Sequence, residues 1–161
     1  MHLAFYKAFN PKATLLDSLI GSFSKGCYSH VEIVIDYNKD GRSFCIGSSA
    51  RDGGVRKKHI FLKDEQWEVI QLNFLTNEQI MKIHTALNKY LGYKYDILGA
   101  LTSIFGIKVD IQNRVFCSEL VALTVLGVMG EPFLISDIPP SYLRNKILEL
   151  NKKHTTTIKD I

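Results

Sequence analysis

The chain has 161 residues, 46% of them apolar, a size and composition that fit one domain spanning residues 1–161 with one sizeable core. Twenty Lys and Arg against 16 Asp and Glu leave a formal charge of +4, but the basic residues are spread along the chain, so charge gives no reason to expect a nucleic-acid partner. Three cysteines at irregular spacing argue against a disulfide framework and fit a reducing compartment, and no window reaches the ~18 consecutive apolar residues of a membrane-spanning helix.

MHLAFYKAFNPKATLL lacks a basic region, a clean apolar run and a small-residue cleavage site, so the chain is expected to stay inside the cell that makes it, with delivery to a wall or membrane requiring another route. No repeat or long linker divides the sequence. HLAFYKAF reads as a first strand closed by Pro11. ATLLDSLIGSF follows with Leu15, Leu16, Leu19, Ile20 and Phe23 at helical spacing, which predicts an amphipathic helix ending near Gly26. YSHVEIVIDY alternates, with Val31, Ile33 and Ile35 on one face and His30, Glu32, Val34 and Asp36 on the other. NKDG is a hairpin turn, RSFCIGSS the returning strand, RDGG a second turn with Gly53 and Gly54, VRKKHIFL a third strand and QWEVIQLN a fourth, which together predict an antiparallel meander.

The period then changes. TNEQIMKIHTALNKYLG places Thr76 and Gln79 in capping-box positions, apolar residues at Ile80, Ile83, Leu87, Tyr90 and Leu91, and Gly92 as the stop, which predicts a helix. YDILGALTSIF is a second helix. FCSELVALTVLGVMG is apolar nearly all round and therefore a buried one, and PPSYLRNKILELNKK starts with Pro near its first turn and runs into a polar, frayed tail. Strands followed by helices predict an α+β fold in which the sheet packs on the helix carrying Cys117.

Cys117 opens that helix. A thiolate attacks carbonyl carbon where a thiol does not, and a helix N-terminus favours an anion by only ~0.3–1 kcal/mol, up to ~2 when partly buried. A neighbouring imidazolium must supply the larger share. His30 is the best candidate, because Glu32 projects from the same strand face and two strand residues span only ~6.6 Å, a spacing that lets a carboxylate orient an imidazole. The bland alternatives are a packed thiol and a surface histidine, both common on such elements. Cys27 and His30 form a Cys-x-x-His pair, but no second close pair completes a metal site, so neither metal nor cofactor is expected. His59, His84 and His154 are scattered. RKKH, residues 56–59, reads as a solvated basic face, with phosphate or acidic head-group binding as the lesser alternative.

The segments YSHVEIVI, GYKYD and FCSELV together resemble the circularly permuted branch of the NlpC-type, papain-like cysteine hydrolases, the YiiX/YebB-like group. In unpermuted relatives the cysteine helix precedes the histidine strand; here His30 comes first and Cys117 last. IGSSARDGGVRKKHIFL is similar to the family's strand and Gly-Val turn, and ISDIPPSYLRN to its closing segment, so the likeness covers most of residues 28–145. The resemblance implies Cys117 as nucleophile, His30 as base, Glu32 as the polar third member, Tyr95 as a residue bordering the cysteine and positioning substrate or supporting the oxyanion, and the Cys117 backbone N–H as first oxyanion donor. Two departures stand out: Phe116 replaces a tyrosine common before the cysteine, and Ser48 lies where relatives often carry a carboxylate. The expected activity is hydrolysis of an amide, peptide-like and possibly from cell-wall peptide, or of an ester. The alternatives are a lipid acyltransferase or thioesterase and a non-catalytic binding module of the same shape.

Overall fold

The structure, a computed structural model, describes residues 1–13, 26–103, 112–133 and 138–159. It is an α+β fold. The strands are β1 (His2–Lys7), β2 (Tyr28–Asp36), β3 (Arg42–Ser49), β4 (Gly54–Phe61), β5 (Trp67–Gln71), β6 (Lys94–Tyr95) and β7 (Arg114–Val115). The helices are α1 (Asn77–Tyr90), α2 (Ile97–Ser103), a segment α3 that is α-helical over Cys117–Val121, π-helical over Ala122–Leu126 and α-helical again over Gly127–Met129, and α4 (Pro140–Lys159). The helix expected over ATLLDSLIGSF lies, from Thr14 on, outside the described residues.

The described strands form one sheet in the order β5-β1-β2-β3-β4-β6-β7. β1 to β4 make the expected meander. β5 departs from it, pairing antiparallel with β1 (Phe5 opposite Glu68) instead of following β4, so the sequence-adjacent neighbour is not the spatial one. The two short strands beyond β4 were not expected. Antiparallel pairing of Gly54 with Lys94, then parallel pairing of Tyr95 with Val115, carries the sheet to within two residues of Cys117.

Two faces follow from the alternation in β2. Val31 and Ile33 join Leu3, Phe5 and Ile46 in the main core, which Leu120, Val121, Val125 and Leu126 of α3 and Leu143 and Ile147 of α4 cover. The reverse face buries a smaller cluster of Ala4, Tyr6, Val34, Cys45, Leu62 and Trp67. His30 and Glu32 belong to that second face, so they sit on a partly apolar floor that excludes water and strengthens their electrostatics.

Local chemistry explains the helix ends. The capping box at Thr76 forms in full: the Gln79 N–H donates to Thr76 Oγ1 at 3.2 Å and the Thr76 N–H to Gln79 Oε1 at 2.9 Å. α2 is started by a buried Asp96, whose Oδ1 accepts the Gly99 N–H at 2.8 Å. α4 begins at Pro140, as its sequence suggests, but stays helical to Lys159 where a frayed tail was expected. Its first turns are fixed to the sheet: the Tyr28 N–H donates to Ser141 Oγ at 3.2 Å, and Arg144 makes a two-point ion pair with Glu68 at 3.0 and 2.6 Å. Gly54 is required where the sheet turns towards β6, because its φ is +153° and a Cβ there would lie 2.0 Å from the Tyr93 carbonyl oxygen.

Candidate functional site

The first residue of α3 is Cys117. Phe116 before it is extended (φ −95°, ψ 173°), and its N–H donates to Glu119 Oε2 at 3.2 Å, which is half of a capping box; the phenylalanine ring has no acceptor with which to return the bond. The adjoining Ser118 hydroxyl donates to the Ile138 carbonyl at 2.5 Å, and Ser48 of β3, fully buried, donates to the Val115 carbonyl at 2.6 Å. Ser48 is thus a strut under the strand that leads into Cys117. These anchors fix the helix start relative to the sheet.

His30 meets Cys117 there. Cys117 is close enough to act on the imidazole both through charge and as a side-chain hydrogen-bond partner. Ring nitrogen Nε2 of His30 lies 2.7 Å from Glu32 Oε1. Burial on its own would push the imidazolium to a lower pKa; the charge interaction and hydrogen bond with Cys117, followed by those with Glu32, outweigh that and raise it to about 10. Trp67 flanks the imidazole edge-on, with ring centroids 6.2 Å apart.

Glu32 is only 1% exposed, so its charge must be met internally. Arg56 of β4 meets it by a two-point ion pair, Nη1 to Oε2 and Nη2 to Oε1, each at 2.7 Å. The same guanidinium donates through Nε to Asp52 Oδ2 at 2.7 Å, and Lys58 braces Asp52 Oδ1 at 2.8 Å. Although burial opposes it, the bonds and charges of His30 and Arg56 hold the Glu32 carboxyl below the usual carboxylate range. Room for that carboxylate comes from Gly47 of β3, where a Cβ would stand 2.1 Å from Glu32 Oε2.

The four residues singled out from sequence therefore divide as follows. Cys117, His30 and Glu32 converge. Tyr95 is half-buried, paired opposite Val115, and lines a cleft of about 430 Å³ that is also lined by Ser29, His30, Arg56, Ile60 and Trp67. Cys117 itself is 3% exposed and is not part of that lining.

Arg56, Gly47 and Asp52 were missed by reading along the chain. RKKH is a solvated basic face at Lys57, Lys58 and His59, all exposed, with Lys58 pairing Asp52 and Lys57 reaching Asn88 at 3.4 Å; Arg56 alone departs from it by turning onto Glu32. The available signal was Gly47, a glycine inside an otherwise regular strand, which marks a close approach by a neighbour. Among the remaining thiols, Cys27 is exposed and Cys45 is buried, the latter pushed up to about 12 by burial and then by the Glu32 charge. Among the described residues no group of three or more His, Cys, Asp and Glu side chains could hold a metal ion, and no helix is long and apolar enough to cross a membrane.

No family model matches the chain, and no curated protein gives a significant match to it.

Proposed function

We propose that the protein is a thiol hydrolase or acyltransferase built on the permuted NlpC-type, papain-like plan. The observation that carries this reading is the convergence, from two segments 85 or more residues apart, of a helix-leading cysteine, a histidine and a buried carboxylate in the order needed for nucleophile, base and orienter. In acylation the Cys117 sulfur bonds to the carbonyl carbon of an amide or ester, the bond to the leaving group breaks, and the proton held by His30 passes to that leaving group. In deacylation a water or another acceptor gives its proton to neutral His30 and attacks the thioester, releasing the acid or transferred product and restoring the thiol–imidazole pair. The backbone N–H of Cys117 sits at the start of α3, where N–H groups lack intrahelical acceptors, and serves as the first oxyanion donor. Tyr95 lines the cleft together with His30. Peptide-like amides are the first substrate class and lipid esters the second.

Trapping tests this directly. Incubation with an activated ester such as p-nitrophenyl acetate should add one acetyl group to Cys117, detectable by peptide mass spectrometry, and Cys117→Ser should lose the thioester adduct. No acyl group on Cys117 under conditions that acetylate free thiols would remove the hydrolase reading. The near-complete burial of Cys117 favours, as second reading, a binding module that uses the cleft without turnover. That reading expects cleft ligands to bind equally well to wild type and Cys117→Ser and no acyl-enzyme to form.

A further inference from the structure

A thiol acyl cycle makes opposed demands on His30: it must carry a proton while the thiolate attacks, and be neutral when water is activated. A buried carboxylate 2.7 Å from Nε2, with little solvent to screen it, favours the first state at the expense of the second. The second state needs a counterweight. Arg56 is placed to supply one, because its guanidinium covers both oxygens of Glu32 and shares Oε1 with His30.

We infer that Arg56 is a positioning residue that offsets part of the Glu32 charge towards His30, so that the carboxylate orients the imidazole while holding its proton less tightly than an unpaired carboxylate would. This rests on the hydrolase reading for its use in turnover, but not for its effect on His30 itself.

The surroundings support the assignment. Gly47 and Arg56 are directly paired across β3 and β4, and the missing Cβ at Gly47 opens the space in which the Glu32 carboxylate meets the guanidinium. The Gly47 carbonyl accepts from Arg56 Nη1 at 3.2 Å, and Asp52 holds Nε, so the fork has its orientation fixed from three sides. The other groups facing this pair do not substitute for Arg56. On β3 the Cys45 thiol stays neutral; on β1 Tyr6 lies opposite His30 in register, and Ala4 opposite Glu32; on α3 Cys117 bears on His30. Lys58, from β4, is engaged with Asp52.

The experiment follows His30 by NMR of ring-labelled protein in the Cys117→Ser background, where the sulfur's own charge is absent, alongside the pH dependence of p-nitrophenyl acetate turnover in otherwise wild-type protein. Arg56→Gln should raise the His30 titration by about one pH unit, a tenfold gain in proton affinity, and move the limb of deacylation that requires neutral imidazole to higher pH by the same amount. Arg56→Lys should recover part of the shift, since it restores charge without the two-point geometry. Because Arg56→Gln uncovers a buried carboxylate and can fail to fold, the comparison is repeated as Glu32→Gln against Glu32→Gln/Arg56→Gln, where no carboxylate is orphaned; removal of Arg56 should again raise the His30 titration. A folded Arg56→Gln protein, or the double variant, with an unmoved His30 titration would overturn the inference. Absence of turnover in wild type would strike the hydrolase reading alone, because the NMR comparison needs no activity.

Discussion

Two residues at the site, Gly47 and His30, yield predictions. Gly47→Ala places a methyl carbon 2.1 Å from Glu32 Oε2, so the carboxylate must shift off Arg56, off His30, or both. Disturbing a buried ion pair in this way should cost about 3–5 kcal/mol if the partner is lost outright and less if the strand gives way, read as a lowered urea midpoint with an unchanged slope. His30 supplies the second. Its strongest upward influence is Cys117, so Cys117→Ser should lower its titration from about 10 towards the ordinary histidine range, with Glu32 retaining part of the shift. An unmoved His30 titration would mean that sulfur and imidazole do not interact. Much of this chemistry was legible residue by residue: the alternation of YSHVEIVIDY puts His30 and Glu32 on one face, and a cysteine leading an apolar helix asks for a base. Arg56 was not legible, because its partner is fixed by the register of three strands, Glu32 beside Gly47 beside Arg56, and nothing local in RKKH distinguishes an arginine turned inward from one in water.

The elements differ in how much of their reason lies in their own sequence. α1 carries its start in Thr76 and Gln79 and its stop in Gly92, whose φ is +83°, and its sequence-based bounds agree with the structure. β6 and β7 have two residues each, too short for any periodicity, and exist because β4 and the start of α3 offer them edges. The position of β5 beside β1 is likewise a property of the sheet, set by Arg144 and Tyr28 converging on Glu68 and by Tyr6 stacking on Trp67 with centroids 5.0 Å apart. This contrast separates two cap substitutions. Thr76→Ala and Asp96→Ala should each cost about 1 kcal/mol, seen as a fall in thermal midpoint. Only Asp96→Ala should also slow modification of Cys117, because Asp96 follows Tyr95 directly and its N–H donates to the Val115 carbonyl at 3.4 Å. Equal effects of both on Cys117 would show that α2 does not position the site.

Across the whole molecule, the site joins the two halves of the chain: strands from the first half bring His30, Glu32 and Arg56, and the helical half brings Cys117. Folding stability should therefore record their ionisation. His30 has a folded pKa above its unfolded value of 6.5, so its contribution is complete below that value and is lost as pH rises through about 10. Glu32 has a folded pKa below its unfolded value of 4.5, so its contribution is present above 4.5 and is lost as pH falls through the depressed value. Denaturant unfolding should give a stability plateau between pH 4.5 and 6.5, and His30→Gln should flatten the alkaline fall above it; an alkaline fall of the same size in that variant would assign it elsewhere. The most direct test of the account is the alkylation rate of the three thiols by iodoacetamide at neutral pH, resolved by peptide mass spectrometry. The account predicts that Cys117 reacts much faster than exposed Cys27, that buried Cys45 is slowest, and that His30→Ala abolishes the advantage of Cys117. A Cys117 no faster than Cys27, or one indifferent to the loss of His30, would contradict it.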